Sequence, residues 1–432
     1  MLQKIVIVGG GAGGLELATK LGNNLGKKKL AKIFLVDRSY IHLWKPLLHK
    51  FAAGSLYKEN HAISYIAHAK NHYFQFYIGE MIGINRIKKT IMLNEVISKI
   101  GHVVIPKREL NYDILVIAIG SESNHFTISG VKKYCSFIDN ILQAKQLYNR
   151  IFNLFLKIST NFNINKEKYN ITIVGGGATG VELSAELYNT IEGLHQYGFQ
   201  GLKKDTLDIT LIEMGPRILP ALPEKISNKV YVSLKKIGIK VINNTTIVKC
   251  NESGLFTKNG EYIKSELIVW SAGIKTQKFK TECFDLETNH IHQLLVKDTL
   301  QTTLDEKIFA IGDCASCLLK NGIYVPPRAQ AAHQMATCTY LNILSLIKDR
   351  SLKSYIYKDH GSLISLSKFK TIGNLIENIT NNSILIEGVV ARLAYLLVYR
   401  MHQISLHGTI KTGVIMLSTN INRIVQPKFK LY

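Results

Sequence analysis

Acidic residues are scarce. The 432-residue chain has 31 Asp and Glu against 54 Lys and Arg, a formal net charge of +23. Cysteine is scarce too: Cys135, Cys250, Cys283, Cys314, Cys317 and Cys338 are too few for a disulfide scaffold at this length, and they fit a reducing compartment. Long apolar runs are missing. The longest charge-free stretch, Ala329 to Ile347, approaches the length of a membrane span, but its Gln330, His333, Gln334, Thr337, Thr339, Asn342 and Ser345 exclude a lipid-facing one. Ile5 already opens "IVIVGGGAGG", so the first residues are expected to belong to the fold and not to a targeting segment. There are no RNA-recognition aromatics, no zinc-finger spacing and no basic helix leading into heptads, so the positive charge is not expected to serve nucleic acid; a basic face toward anionic lipid stays open. The 46% hydrophobic content and mean hydropathy of +0.07 exclude intrinsic disorder, and the length suggests two or three domains.

What the chain does have is glycine in a particular context. Ile5–Val8 is a β-branched apolar run followed by Gly9-Gly10-Gly11-Ala12-Gly13-Gly14 and then helix formers. In this strand–turn–helix pattern Gly9 serves the tight turn, Gly11 lets the backbone approach a pyrophosphate, and Gly14 lets helix and strand pack closely. The next apolar run, Ile33–Val36, ends in Asp37, whose carboxylate suits the hydroxyls of an adenosine ribose. The pattern recurs 175 − 9 = 166 residues later: Ile171–Val174, then Gly175-Gly176-Gly177-Ala178-Thr179-Gly180, then a second strand ending in Glu213. Gly180 and Glu213 lie farther apart than the usual ~20 residues, which an insertion around Gly193–Asp205 accounts for. A carboxylate at 213 repels the 2′-phosphate of NADPH and so favours NADH, although Arg217 lies close by.

Two dinucleotides on one chain point to hydride transfer between them, here from NADH to a flavin. Two more apolar strands, Ile114–Ser121 and Leu267–Ile274, end in turns at Gly120 and Gly273, and "IFAIGDCAS" puts Gly312-Asp313 at a strand end, where an acid suits ribityl hydroxyls. Gln330 and Gln334 are four apart, on one face of a helix with small alanines between them. Spacing alone leaves open a helix merely packed on its neighbour.

With these residues in view the chain resembles the flavoproteins that have two dinucleotide-binding domains, and more closely the type II NADH:quinone oxidoreductases, proteobacterial branch. The resemblance covers nearly the whole chain and rests on Gly9–Gly14, Gly175–Glu182, Gly312-Asp313, the block Ala329-Gln330-Ala331-Ala332-His333-Gln334, and Tyr399–Gly408, "YRMHQISLHG". It implies tightly bound FAD and NADH as substrate. Ala329, Gln330, His333 and Gln334 then face a quinone, and Glu182 sits where the nicotinamide stacks on the flavin; Trp44 and Lys45 are candidates for contact with the isoalloxazine. Glu16, equivalent to Glu182 after the first glycine turn, reads as a helix-start residue. No metal site is expected. Cys314-x-x-Cys317 is read as structural, because a flavin disulfide reductase needs a cysteine pair on the helix after Asp37, and Tyr40–Ser55 has none. A sulfide:quinone or disulfide oxidoreductase remains the alternative within the superfamily, and a basic flavoprotein binding nucleic acid the alternative outside it. His42, His49, His61, His68 and His72 fit no recognised ligand motif, and a solvated surface or a drift in composition accounts for them.

Residues 384–432 hold six basic residues and one acid, a balance of +5. At 100° per residue Arg392, Arg400, Gln403 and His407 fall within an arc of roughly 80°, with nearly everything else apolar, the pattern of an interfacial amphipathic helix. The expected fold is therefore α/β: two Rossmann-like domains plus C-terminal amphipathic membrane-associating helices. FAD takes 1–120 and, with the quinone-side helix, 298–380; NAD takes the inserted 121–297; 381–432 anchors the protein peripherally at the cytoplasmic face of a bacterial inner membrane. A homodimer is left open.

Overall fold

The computed structural model describes residues 2–56, 61–98, 100–160, 168–195, 197–199, 202, 206–277, 285–319, 322–368, 370–376 and 383–425. Two compact units divide the chain: Met1–Trp44 with His61–Glu122 and Ile274–Lys358, and Lys45–Asn60 with Ser123–Gly273 and Asp359–Tyr432.

In the first unit the β-branched run becomes strand Gln3–Val8, the centre of a five-stranded parallel sheet in the order Ile308–Ala310, Ile114–Ile117, Gln3–Val8, Ala31–Asp37, Gln75–Ile78. Ile5, Val6 and Ile7 are fully buried, as expected of a parallel strand covered on both faces. Helix Ala12–Leu21 leaves the glycine turn and packs along helix Ala329–Ile347. Gly13 permits that approach, since a Cβ there would stand 2.9 Å from the Ala332 carbonyl oxygen.

The second unit repeats the plan with four parallel strands in the order Lys240–Ile242, Leu207–Ile212, Tyr169–Val174, Leu267–Trp270, and helix Ala178–His195 leaves its glycine turn. Helix Leu48–Ala52 packs in this unit against helices Ile141–Thr160 and Ala178–His195. A three-stranded antiparallel sheet, Gly361–Leu366, Lys370–Ile376 and Ser383–Glu387, supports helix Val389–His407, and helix Thr409–Val425 packs on that helix.

Helix Val389–His407 buries one side and exposes a stripe of apolar side chains on the other. Ala391, Tyr399, His402, Gln403 and Leu406 are buried, whereas Val389, Leu393, Leu397 and Met401 are each more than half exposed. Gln403, expected on the outward polar arc, is 6% exposed; its Oε1 accepts from Arg400 Nη1 at 2.5 Å and its Nε2 donates to Tyr399 Oη at 3.2 Å. Periodicity finds the polar side but does not say which side meets the protein. Among the described residues no helix is long and apolar enough to cross a membrane.

The surface placement of the histidines is overturned at three positions. His42, His49 and His68 are each only 3% exposed. His42 Nδ1 meets the Gly10 carbonyl at 2.9 Å and His68 Nε2 meets Thr19 Oγ1 at 2.8 Å, so hydrogen bonds offset the desolvation of these rings.

Candidate active site

The three glycines of the first turn differ in the room that each leaves for a side chain. Gly9 has φ +104°, and a Cβ there would lie 2.3 Å from the Ala118 carbonyl oxygen; one on Gly14 would lie 1.9 Å from the Gly9 carbonyl oxygen. At Gly11 a Cβ would meet nothing within 4 Å. Gly11 is the N-cap of helix Ala12–Leu21 and supplies no side-chain cap, so the first backbone N–H groups face an open approach. Asp37 closes the turn: Oδ2 accepts from Gly10 N at 2.7 Å and Oδ1 from Ser39 N at 2.7 Å. Burial pushes its pKa up, against those two donors. Gly9, Asp37, Glu80, Gly120, Ser121 and Gln277 border a solvent-open cleft of about 570 Å³. Open space at Gly11, a helix N-terminus with no side-chain cap and a held carboxylate beside a cleft fit the adenosine diphosphate half of FAD.

The second turn copies the first. Glu213 Oε2 accepts from Gly176 N at 2.7 Å and Oε1 from Gly215 N at 2.8 Å, the same two bonds on a longer side chain. A Cβ on Gly180 would stand 2.0 Å from the Gly175 carbonyl oxygen, while Gly177 again has open space. Gly120 and Gly273 turn their chains with φ +71° and +61°. In the first unit Gly312 has φ +75°, and Asp313 Oδ2 accepts the Ser121 hydroxyl at 2.7 Å.

Ala329 opens helix Ala329–Ile347, and Gln330, His333 and Gln334 are all half-buried there. Both glutamine amides are committed to one backbone residue. Gln330 Nε2 and Gln334 Nε2 donate to the Lys358 carbonyl at 3.1 and 2.8 Å, and Lys358 N donates to Gln334 Oε1 at 2.9 Å. Each amide nitrogen carries two hydrogens, so each keeps a second N–H for a ligand, its rotamer already fixed by Lys358. His333 Nδ1 meets Glu16 Oε2 at 2.5 Å.

Glu182 is a buried acid. Its Oε1 accepts from Ser365 N at 2.9 Å, and His49 Nδ1 lies 3.7 Å from Oε2. Burial pushes its pKa up to about 7, against the Ser365 N–H and the Lys50 charge; burial likewise pushes His49 down to about 3. Folded Glu182 therefore keeps a proton that the unfolded chain gives up near 4.5, and stability falls as pH rises from there to about 7. Glu182→Gln is expected to remove this slope and to be more stable than the parent at pH 8 by about 3 kcal/mol. Unfolding midpoints at pH 5 and 8 check it; an unchanged slope in the variant contradicts the buried acid.

Residues 3–336 match the pyridine nucleotide-disulphide oxidoreductase family. Over the full length of both chains the protein is 48% identical to the type II NADH:quinone oxidoreductase of Haemophilus influenzae. The chain belongs to the type II NADH:quinone oxidoreductases. A relative of the same name from Staphylococcus aureus is 28% identical over 86% of this chain and 89% of its own. The solved structure of NDH2 from Plasmodium falciparum in complex with NADH shares the fold, with TM-score 0.84 over all of both chains at 20% identity.

In this member of the type II NADH:quinone oxidoreductases the surroundings of Cys314 and Cys317 disfavour a reactive dithiol. Both are buried, and burial pushes each thiol up to about 11, so neither supplies a thiolate at neutral pH. The Cys314 thiol faces the carbonyls of Ile311 and Ile117 at 3.3 and 3.4 Å. Trp44 is buried. Sequence reasoning missed the Glu16–His333 contact, the Lys358 latch and His49. The first two join residues distant in the chain, with no local pattern to mark them.

Proposed function

We propose that the protein oxidises NADH and reduces a membrane quinone through bound FAD, without pumping protons. The observation that carries this reading is the duplicated glycine turn, each copy closed by a carboxylate, on a chain that aligns end to end with a type II NADH:quinone oxidoreductase. Held by these residues, FAD would supply the two-electron chemistry that links a hydride donor to a quinone. In this reading 1–120 and 298–380 hold FAD and 121–297 hold NADH. Gly9, Gly11 and Gly14 admit the FAD pyrophosphate, and Asp37 offers its remaining lone pairs to the ribose. Asp313, braced by Ser121, does the same for the ribityl chain. Gly175, Gly177, Gly180 and Glu213 do for NADH what the first set does for FAD, and Glu182 positions the nicotinamide. The second N–H of Gln330 and of Gln334 holds the quinone carbonyl, with Ala329 and His333 beside it. Glu213 repels a 2′-phosphate, so anaerobic NADH is expected to bleach the yellow protein faster than NADPH does; equal rates contradict the role of Glu213.

The C-terminal segment, 384–432, is proposed to lie on anionic lipid at the cytoplasmic face of the bacterial inner membrane. Support comes from the exposed apolar side chains Leu393, Leu397, Met401, Ile410, Val414 and Leu417, with Arg392 and Lys411 exposed on the same two helices. Truncation before Ile384 is a poor test, because it also removes most of strand Ser383–Glu387 and the buried Tyr399 and Leu406. Replacing Leu393, Leu397 and Met401 by Ser is cleaner. At roughly 2 kcal/mol per apolar side chain, flotation with anionic vesicles is expected to fall by about 10²-fold or more, with flavin reduction by NADH unchanged. Undiminished flotation contradicts the lipid assignment, and a dimer that vesicles do not dissociate assigns the face to a second copy instead.

A further inference from the structure

Glu16 is a buried acid with no part in the reaction above. It lies on helix Ala12–Leu21 with its side chain 0% exposed; Oε2 stands 2.5 Å from His333 Nδ1 and Oε1 2.7 Å from Lys20 Nζ. Lys20 Nζ also donates to Thr337 Oγ1 at 2.7 Å, so the group ties the first glycine helix to helix Ala329–Ile347. Such a tie needs only the lysine. The imidazole adds something a tie does not need, because His333 is 42% exposed and immediately precedes Gln334 on the helix assigned to the quinone.

The protonation states follow from the acid. Burial works to raise the Glu16 pKa, but His333 and Lys20 outweigh it and hold the carboxyl below its ordinary range. An ionised carboxylate only accepts, so the 2.5 Å contact is Nδ1–H to Oε2. That commits Nδ1–H to the acid and leaves Nε2 as the ring nitrogen for a second partner. The elements packed against this helix bring few other charges: Lys20 on the first helix and Asp313 on the turn Gly312–Cys314, whose Oδ2 is engaged by Ser121. Arg328 is the N-cap of the helix itself, and Lys358 is met through its backbone.

We propose that Glu16 is a positioning residue that fixes the His333 ring in this orientation, and that His333 passes the proton on Nε2 to a quinone oxygen as the quinone is reduced. The proposal rests on the quinone reading of the Gln330–Gln334 face. The balance is NADH + H⁺ + quinone → NAD⁺ + quinol. Two electrons and one proton originate in the hydride of NADH; the second proton leaves His333 as its Nε2–H bond breaks and the quinol O–H bond forms. Water then reprotonates Nε2 on the exposed ring.

Three measurements test this on the FAD-loaded, full-length protein. In ¹⁵N-histidine NMR, Nδ1 of His333 is expected to carry the hydrogen shared with Glu16. His333→Asn is expected to slow quinone reduction by about 10²-fold or more, with flavin reduction by NADH unchanged and imidazole in the buffer restoring part of the rate. Glu16→Gln removes an opposing charge and is expected to move the alkaline limb of quinone reduction down by about one to three pH units. If the pair is only structural, both variants unfold at lower temperature with the limb unmoved. An unmoved limb, or an Nδ1 that carries no hydrogen, overturns the proposal. Failure of the quinone reading is distinguishable: Gln330→Leu would then also leave quinone KM unchanged.

Discussion

Gly180→Val is expected to yield a folded, yellow protein that NADH reduces about 10²-fold more slowly than the parent. A Cβ at this position would stand 2.0 Å from the Gly175 carbonyl oxygen and 3.0 Å from Ser271 Oγ, so helix Ala178–His195 must move away from strand Tyr169–Val174. A shift near 1 Å at a cofactor-orienting turn is enough for a loss of that size. The first turn, in the other compact unit, is untouched, so the flavin absorbance should remain at full stoichiometry. Gly14→Val, with its clash 1.9 Å from the Gly9 carbonyl oxygen, is expected to give the reverse: a colourless protein that still binds NADH. Absorbance after gel filtration and stopped-flow reduction read the two variants. Loss of flavin from the Gly180 variant would mean that the two turns do not serve separate dinucleotides.

Replacing Gln330 and Gln334 together by Leu is expected to slow reoxidation of the reduced protein by quinone about 10²-fold or more, while leaving its reduction by NADH unchanged. The pair removes two positioned N–H donors, and donors fixed in advance are commonly worth 10²–10³ each where charge develops on an oxygen. The substitution also releases Lys358, which both amides hold. Quinone kinetics identical to the parent would take the quinone away from this helix.

The parts of the site that were legible in the sequence are those fixed by local geometry. Gly9, Gly14, Gly175 and Gly180 are readable because a strand, a turn and a helix leave no room for Cβ there, and Asp37 and Glu213 because a strand ends at each. Contacts that cross the chain left no such mark. Glu16 reads in the sequence as a helix-start acid, but helix Ala12–Leu21 has no acid in its first turn, and the partner of Glu16, His333, lies 317 residues away. Gln330 and Gln334 were placed on a shared helix face, but the residue that fixes them, Lys358, follows by 28 and 24 residues with no motif of its own. His42, His49 and His68 blended into a histidine-rich stretch, and only packing shows that they are buried. The tail shows a different failure: its polar arc was identified, yet Gln403 on that arc turns inward, because a hydrophobic period gives the faces of a helix and not the surroundings of each.

The central claim is that one chain runs two separable half-reactions, NADH to flavin and flavin to quinone. The most direct test is sequential anaerobic mixing: the purified yellow protein first with one equivalent of NADH, then with a water-soluble quinone, followed at the flavin absorbance. Full bleaching by NADH and full, rapid recovery of the yellow colour by quinone are expected, with one quinol formed per NADH. A protein that bleaches but is reoxidised by a disulfide or sulfur acceptor and not by quinone would contradict it.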